Sequence, residues 1–215
     1  MTTQNVTARR PTGERKKNAD MRRRQLLGAA QRSIVRNGLS RTTLATVADE
    51  AGLSQGVAVF YYKSKTGLLV ATLEDIYEKY EANWRRALAQ AGDDPKERLL
   101  ALVEADFDAD ICNKDSLSVW YAFWGEQKFT PQYSDITREF DLNRTEAIRE
   151  ICRALFPEDQ ADVAESVAIW IDMLTDGYWQ RMHLFPVRCT RETALEGARA
   201  FLARMLPAHF GAGQG

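Results

Sequence analysis

The sequence predicts an all-α protein of about nine helices. Apolar residues recur at the three- and four-residue spacing of a helix face along most of the 215 residues, and no run shows the strict alternation of a half-buried strand. The hydrophobic content of 45% is ordinary for a globular protein, and no segment approaches the roughly 18 uninterrupted apolar residues of a membrane span. The N-terminus also lacks the apolar core of a secretory signal, so we expect a cytoplasmic protein.

The helices can be assigned in order from apolar stripes and stop signals. The first is predicted over residues 20–37, where the stripe is closed by Gly38. Thr42 or Thr43 then caps a second helix, which opens a pair of short helices up to residue 63. The remaining helices are predicted over residues 65–91, 95–110, 116–128, 130–155, 158–183 and 191–206.

Residues 44–63 carry the spacing of a DNA-reading helix-turn-helix. Gly52 supplies a left-handed turn residue, which glycine adopts without strain, and Ser54 sits where a side-chain oxygen caps the second helix. That second helix is expected to bury Ala58 and Tyr62. The residues expected to face outward from it are Gln55, Gly56, Val57, Val59 and Tyr61. Two ordinary surface helices are an alternative explanation of the same spacing.

Charge is divided unevenly along the chain. Residues 1–65 hold thirteen Lys or Arg against four Asp or Glu, a net of +9, whereas the remainder has a net of −10. A basic N-terminal part is the electrostatic footprint of phosphate contact, which favours DNA binding. Residues 1–19 contain few large apolar side chains, so we expect a flexible basic arm there, with a solvated tail as the alternative. The cations of this arm are Arg9, Arg10, Arg15, Lys16 and Lys17.

The sequence has no residue pattern typical of a metal site, a disulfide framework or a nucleotide-binding enzyme. Cys112, Cys152 and Cys189 are widely spaced, which is typical of reduced thiols, and with only His183 and His209 no Cys/His cluster has metal-ligand spacing. There is no glycine-rich phosphate loop, and the GxSxG spacing at residues 52–56 lies in the helix-turn-helix and follows no predicted strand, so it is not a nucleophile elbow. We therefore expect neither an enzyme nor a bound metal or cofactor. An activator, or a redox sensor that uses the cysteines, is an alternative.

The order of these features resembles the TetR family of one-component transcriptional regulators, most of which are repressors. The resemblance is carried by residues 42–69, where Tyr61-Tyr62-Lys63-Ser64-Lys65 follows the helix-turn-helix as it does in that family. The C-terminal part resembles the choline-sensing repressors of glycine betaine synthesis through FDAD at 107–110, WYAFW at 120–124, LFPEDQA at 155–161 and DGYWQR at 176–181. The resemblance implies a DNA-binding domain over 20–65 and an effector-binding and dimerisation domain over 66–215.

In the N-terminal part the resemblance implies a division between base and phosphate contacts. The residues that would face base edges in the major groove are Gln55, Gly56, Val57 and Val59, among which the Gln55 amide suits adenine. Those that would hold phosphates and fix the register are Thr43, Tyr61 and Lys65. A packed ring with a solvent-facing hydroxyl is the alternative for Tyr61, and Phe60 either supports the motif or touches the sugar-phosphate edge.

The C-terminal part contains aromatic and acidic side chains on shared helix faces. Aromatic faces with a carboxylate form the usual receptor for a quaternary ammonium, and each contact contributes about 0.5–2 kcal/mol. The expected ligand-binding residues are Asp106, Phe107, Asp110, Trp120, Phe123, Trp124, Asp172, Asp176 and Trp179. Alternatively, the aromatic residues form plain core and the aspartates bind Arg144 or Arg181. An unrelated apolar or aromatic effector, or constitutive DNA binding without an effector, is a further alternative.

Operator recognition requires two copies of the helix-turn-helix, because one copy reads only a half-site. We therefore expect a symmetric homodimer on a palindromic operator, and the resemblance implies pairing through helices over about 158–183 and 191–206. The apolar residues expected at this interface are Val163, Val167, Ile171, Leu174, Leu195, Phe201, Leu202 and Met205. An effector that favours a splayed arrangement lowers operator affinity, with the long helix over 65–91 moving between the two states.

Overall fold

The computed structural model describes residues 12–211, and these residues form helices with no β-strand among them. The predicted all-α fold class is confirmed. The described part has ten α-helices and a 3₁₀ turn at Glu158–Gln160, and none of these helices is long and apolar enough to span a membrane. The helices are α1 Thr12–Arg41, α2 Leu44–Glu50, α3 Gln55–Tyr62, α4 Lys65–Gln90, α5 Pro95–Ala105, α6 Lys114–Gln127, α7 Pro131–Leu155, α8 Ala161–Leu184, α9 Arg191–Met205 and α10 Pro207–Phe210.

The chain divides into two compact units after Thr72. We refer to the described residues 12–72 as the head and to residues 73–211 as the body. α4 is continuous through this boundary, so its first two turns belong to the head and the rest belongs to the body. The sequence placed the division at Lys65, where α4 begins. The compact head extends further because Leu68 of α4 is part of its core.

The head is held together by a small core that is rich in alanine. Its buried members are Leu26, Ala29, Ala30, Val47, Ala48, Ala51, Ala58 and Leu68. Small side chains let α1, α2 and α3 approach closely, and α2 packs against both of its neighbours. The buried hydroxyl groups of Ser33 and Thr42 lie 3.1 Å apart, and Thr42 also donates to the carbonyl oxygen of Gly38 at 2.9 Å. Each buried hydroxyl in this core therefore has a partner.

α1 begins earlier than the sequence predicts. Arg15, Lys16 and Lys17, which were expected in a flexible arm, belong to its first turns and are exposed, whereas residues 1–11, which include Arg9 and Arg10, lie outside the described part. Glutamate, lysine and arginine are good helix formers, so a polar helix can extend from the amphipathic one. At the other end Gly38 adopts a φ of 73° and kinks α1 at the predicted stop.

The body consists of the remainder of α4 and of α5 to α10. α7 packs along α8, α5 and α6 pack on α7, and α9 packs on α8. The largest fully buried side chains of the body are Trp84, Phe107, Phe123, Leu73, Leu99, Leu102, Ile148, Ile171 and Leu202. The apolar stripe of each helix is thus directed into a shared interior, which is the usual reason for an amphipathic pattern.

α5 ends at Ala105, about one turn before the predicted end near Asp110. The carboxylate of Asp108 accepts the N–H group of Asp110 at 2.9 Å, and this local turn competes with continuation of the helix. As a result Asp106, the first residue after α5, is buried in the body, whereas Asp110 is exposed. The two aspartates expected on one helix face therefore lie in different environments.

Candidate functional site

α2 and α3 form the helix-turn-helix of the head. Thr43 begins α2 with a capping box, in which its Oγ1 accepts the N–H group of Thr46 at 3.1 Å and Thr46 Oγ1 accepts the N–H group of Thr43 at 2.8 Å. Thr42 is instead buried against α1, so Thr43 is the cap. Gly52 adopts a φ of 63° in the turn between the helices, a conformation that strains any residue with a Cβ atom.

The two ends of α3 differ from the predicted pattern. Ser54 precedes α3, but its hydroxyl caps no N–H group. Because Ser54 is exposed, water can satisfy those groups instead. At the other end Lys63 adopts a φ of 60°, the only positive φ of a non-glycine residue in the described chain. Gly67 packs against this turn so closely that a Cβ atom there would collide with the carbonyl oxygen of Tyr62, a requirement that the sequence analysis missed.

The outer face of α3 is the candidate recognition surface of the head. Its exposed residues are Gln55, Gly56, Val59 and Phe60. Val57 and Tyr61, expected to face outward, are half-buried because they pack on the edge of the head core. Tyr62, expected in the core, is also only half-buried, and its hydroxyl donates to the carbonyl oxygen of Arg23 at 3.3 Å. Phe60 is 68% exposed, so it does not support the motif from inside.

The residues expected to hold phosphates lie beside this candidate recognition surface. Thr43 is at the start of α2 and Lys65 at the start of α4, where the helix dipole favours an anion. Lys65 Nζ donates to the carbonyl oxygen of Ser40 at 2.5 Å. The guanidinium of Arg23 lies 5.8 Å from the ring centroid of Tyr61. The head therefore combines helix N-termini with cations, the groups that bind a phosphate backbone.

The body contains a cavity of about 400 Å³ that is partly open to solvent. Residues of α4, α6, α7 and α8 and the end of α5 form its walls. They are Tyr77, Tyr80, Asp106, Trp120, Trp124, Gln127, Asp141, Arg144, Thr145, Asp172, Thr175, Asp176 and Trp179. All of these residues belong to the body.

Aromatic rings from three helices form the apolar wall of the cavity. The ring centroid of Trp120 lies 5.8 Å from that of Trp124 and 5.7 Å from that of Trp179. Trp124 and Trp179 are nearly parallel, with an interplanar angle of 22° and centroids 6.3 Å apart. Tyr80 of α4 completes the group, 5.7 Å from Trp179, and Tyr77 packs on Trp120 at 4.6 Å. Several ring faces around one volume attract a cation through their quadrupoles.

Arg144 lies in the buried part of the cavity wall and is 7% exposed. Its guanidinium forms ion pairs with Asp106 and Asp172, and Asp106 also accepts the hydroxyl of Tyr80 at 2.7 Å. Burial raises the pKa of Asp106, and the charge of Arg144 opposes that rise. One guanidinium thus pairs with two carboxylates of the cavity wall. This pairing agrees with the alternative prediction from the sequence, in which the aspartates bind Arg144.

Asp141 and Asp176 stand at the side of the cavity that is open to solvent. Desolvation by the neighbouring walls raises the pKa of each to about 6, so both are mostly ionised at neutral pH. Asp176 forms neither a hydrogen bond nor an ion pair with the residues that the structure describes. Among the lining residues, four carboxylates face a single guanidinium, and the cavity is therefore anionic.

Six of the nine body residues singled out from the sequence line this cavity, namely Asp106, Trp120, Trp124, Asp172, Asp176 and Trp179. Phe107 and Phe123 do not, because they are buried in the core against Tyr178 and Tyr133. Asp110 does not either, because α5 ends before it and leaves it on the surface. These three residues do not belong to the cavity.

Tyr77, Tyr80 and Asp141 of the cavity wall were not predicted from the sequence, and Arg144 was predicted only as an alternative partner of the aspartates. Tyr77 and Tyr80 lie three residues apart on α4, within the apolar stripe that predicts the helix over 65–91. A signal for Arg144 was present, since it lies four residues from both Phe140 and Ile148 on the apolar stripe of α7. An arginine on a buried stripe requires an acidic partner. The sequence does not indicate which acid that is.

The cysteines are buried and free, which disfavours the redox-sensor alternative. Burial raises the pKa of the Cys112 thiol to about 12 and that of the Cys152 thiol to about 12. Cys112 Sγ lies 3.9 Å from the sulfur of Met182. The thiolate is the reactive form, and burial suppresses it here. Within residues 12–211 no group of His, Cys, Asp or Glu has the arrangement of a metal site.

α8 and α9 each have one apolar face inside the body and apolar residues outside it. Val167, Ile171 and Leu202, which were expected at an interface, are buried in the core of the same chain. The large exposed apolar residues on these helices are Val163, Ile169, Trp170, Met173, Leu184 and Met205. The expected set therefore mixed two faces, because spacing on a helix does not reveal which face another copy covers.

The head and the body each match a known family. Residues 26–72 match the bacterial regulatory proteins of the tetR family, and residues 95–207 match the BetI-type transcriptional repressor C-terminal domain. The HTH-type transcriptional regulator BetI of Stenotrophomonas maltophilia (strain R551-3) is 33% identical over 161 residues, which cover 75% of this chain and 81% of the relative.

Solved structures share the fold. A putative transcriptional regulator from Pseudomonas aeruginosa PAO1 has a TM-score of 0.74 at 22% identity, with 96% of this chain and 98% of that chain covered. A putative transcriptional regulator from Saccharomonospora viridis in complex with choline has a TM-score of 0.72 at 23% identity, with 85% and 96% covered. Together with the family matches, the helix-turn-helix identifies this chain as a member of the TetR family, a DNA-binding repressor of the BetI type and not an enzyme.

Proposed function

We propose that this repressor binds a quaternary ammonium such as choline in the cavity of its body and then releases a palindromic operator. The observation that carries the proposal is the anionic aromatic cavity. A structure of the same fold, from S. viridis, was solved in complex with choline, which supports a cation of this class.

The chemistry of a quaternary ammonium explains why such a cavity suits it. This cation has no N–H group to donate, so ring faces and carboxylate charge bind it in place of hydrogen bonds. The near-parallel rings of Trp124 and Trp179 provide faces, and Asp176 lies one turn before Trp179 on the same side of α8. We assign Asp176 as the counter-ion, because Asp106 and Asp172 are already paired with Arg144.

On the DNA side we assign base contacts to the outer face of α3 and phosphate contacts to the helix ends around it. The proposed base-contacting residues are Gln55, Gly56, Val57 and Val59, and the proposed phosphate-contacting residues are Thr43, Tyr61 and Lys65. Phe60 joins the first group as an exposed ring that can reach the sugar edge of the groove. Without arginine or asparagine on this face, the discrimination at each base pair is modest.

Two copies of the chain are needed to read both half-sites of an operator. We propose that they pair through α8 and α9, at about residues 158–183 and 191–206. Val163, Trp170 and Met173 support this assignment, because they are exposed and share one face of α8 at spacings of seven and three residues. Exposed apolar groups of this kind are typical of an interface between copies.

The switch that we propose is a shift between two populations. α4 begins at Lys65 in the head, and further along the same helix Tyr77 and Tyr80 form part of the cavity wall. One continuous helix therefore contributes to both DNA binding and ligand binding. A ligand that prefers the released state lowers operator affinity by the ratio of its affinities for the two states and no more. That ratio is typically about 5- to 150-fold.

The experiment is a titration of operator binding with choline and with its neutral isostere, in which a tert-butyl group replaces the trimethylammonium. The operator is first selected from random duplexes with the purified protein, and binding is followed by fluorescence anisotropy at fixed ionic strength. Choline should weaken operator binding within the range above, and the isostere should have little effect at equal concentration, because it fills the same volume without the charge.

Two other outcomes would favour the alternatives. An equal response to the isostere would indicate an uncharged apolar or aromatic effector in the same cavity. A protein that binds the operator but responds to neither compound, and whose tryptophan fluorescence changes with neither, would contradict the choline assignment and favour constitutive binding.

A further inference from the structure

The C-terminal end of α5 is a junction between several helices of the body. Asn83 of α4 donates to the carbonyl oxygen of Ala105 at 2.9 Å, and Trp179 of α8 donates to that of Asp106 at 2.9 Å. The carboxylate of Asp106 accepts the hydroxyl of Tyr80 from α4 at 2.7 Å and binds Arg144 from α7. A single buried aspartate thus connects α4 to two walls of the cavity.

Arg144 extends this junction to the carboxylates of the cavity. One terminal nitrogen of its guanidinium binds Asp106 and the other binds Asp172. Its Nε has no hydrogen-bond partner among the described residues, so the guanidinium is held through its terminal nitrogens only. The same guanidinium lies 5.9 Å from the ring centroid of Tyr80. A change at Asp172 therefore reaches Tyr80 through two contacts.

We propose that Tyr80 is the positioning residue that couples occupancy of the cavity to α4. A cation held by Asp176 repels the nearby guanidinium of Arg144, which leaves Asp172 and turns both of its terminal nitrogens to Asp106. The Asp106 oxygen that accepts the hydroxyl of Tyr80 then accepts the second nitrogen of Arg144 instead, so α4 loses this anchor while the hydrogen bond from Asn83 remains. This proposal rests on the proposed function, since it requires a cationic effector in the same cavity.

Burial makes this anchor strong enough to act as a switch. Asp106 is 1% exposed, so no water competes for its carboxylate, and hydrogen bonds to charged groups in such surroundings are among the stronger ones. Asp106 has to exchange one partner for another, because a buried carboxylate without a partner is costly. The junction thus has two discrete arrangements rather than a continuous range.

Tyr80→Phe tests the proposal, because it keeps the ring in the cavity wall and removes only the hydroxyl. Tyr121→Phe is the matched control, since Tyr121 stacks on His183 outside the cavity lining. The measurements are the Kd of choline and the Kd of the operator with and without saturating choline. In the control, choline should weaken operator binding as in the unmodified protein.

In Tyr80→Phe we expect choline to weaken operator binding less than about twofold. The ligand-free variant should bind the operator about tenfold or more weakly, the size of one lost hydrogen bond to a charged group. Choline should bind the variant as tightly as or more tightly than the unmodified protein, since by linkage it no longer has to release the anchor. A merely structural role for the hydroxyl would weaken choline binding instead.

Hydrogen exchange of the amides of residues 77–84 gives a second readout that needs no DNA. Choline should accelerate exchange there in the unmodified protein, and in Tyr80→Phe exchange should be fast with or without choline. Normal coupling by choline in Tyr80→Phe would overturn this proposal and leave the proposed function intact. No response of the unmodified protein to choline would overturn both.

Discussion

Replacing Asp176 with asparagine tests the assignment of the unpaired carboxylate in the cavity. The substitution keeps the shape of the side chain and removes its charge. Two unit charges about 5 Å apart attract each other by about 3 kcal/mol at an effective dielectric constant of about 20. Asp176 is partly exposed at the open side of the cavity, so water and salt reduce this contribution to about 1–2 kcal/mol. We therefore expect choline to bind roughly 5- to 30-fold more weakly.

The assay is isothermal titration calorimetry, supported by the intrinsic fluorescence of the tryptophans in the cavity wall. Asp110→Asn is the matched control, because it makes the same chemical change at an exposed aspartate outside the cavity. The neutral isostere of choline is titrated alongside. Its Kd should be the same in both variants, so the preference for choline over the isostere should shrink only in Asp176→Asn.

Equal choline affinities in Asp176→Asn and Asp110→Asn would refute the assignment. Weaker binding of both choline and the isostere in Asp176→Asn would also count against it, since that result would show an altered cavity shape rather than a lost charge.

The remaining predictions concern pH, the turn after α3 and the outer face of α8. Because the pKa of Asp176 is about 6, choline affinity should fall as the pH is lowered through that value, and calorimetry of Asp176→Asn should show this part of the pH dependence missing. Without ligand, the stability of the fold depends on pH in the opposite direction, because the raised pKa of Asp176 lowers the free energy of unfolding above pH 6. Asp176→Asn should therefore melt at a higher temperature than the unmodified protein above pH 6 and at the same temperature below about pH 4. Gly67→Ala should abolish operator binding but leave choline binding unchanged, since its Cβ collides with backbone only in the head, whereas Gly28→Ala has room and should retain both. Met173→Glu should sediment as a monomer, whereas Leu142→Glu, at an exposed leucine on α7, should remain a dimer.

Local features of the head could be predicted from the sequence, because they depend on neighbours in the chain. The left-handed conformation of Gly52 and the cap at the start of α2 follow from a few adjacent residues. The missing cap at Ser54 and the half-buried Val57 could not be predicted in the same way, since they depend on how far each side chain is exposed after the helices pack. Gly67 is required by the close approach of α4 to the end of α3, which no local pattern reveals.

The sequence predicts those cavity residues that lie on one face of the same helix. Trp120 and Trp124 are four residues apart on α6, and Asp172, Asp176 and Trp179 are four and three residues apart on α8, so each set shares a face. The contributions of α4 and α7 could not be combined with these sets, because the sequence does not state which faces meet. Long-range packing therefore determines the cavity as a whole.

Arg144 changes the interpretation of the acidic residues of the body. From the sequence, Asp106, Asp172 and Asp176 are equivalent candidates for holding a cation, but in the structure the first two are partners of the buried guanidinium. Removing one partner of a buried ion pair typically costs about 3–5 kcal/mol, so Asp106→Asn should lower the free energy of unfolding whether or not the protein binds a ligand. A scan that treated all these aspartates alike would mistake lost stability for lost recognition. Asp176 has no such partner, so the loss of its charge tests ligand recognition without breaking an ion pair.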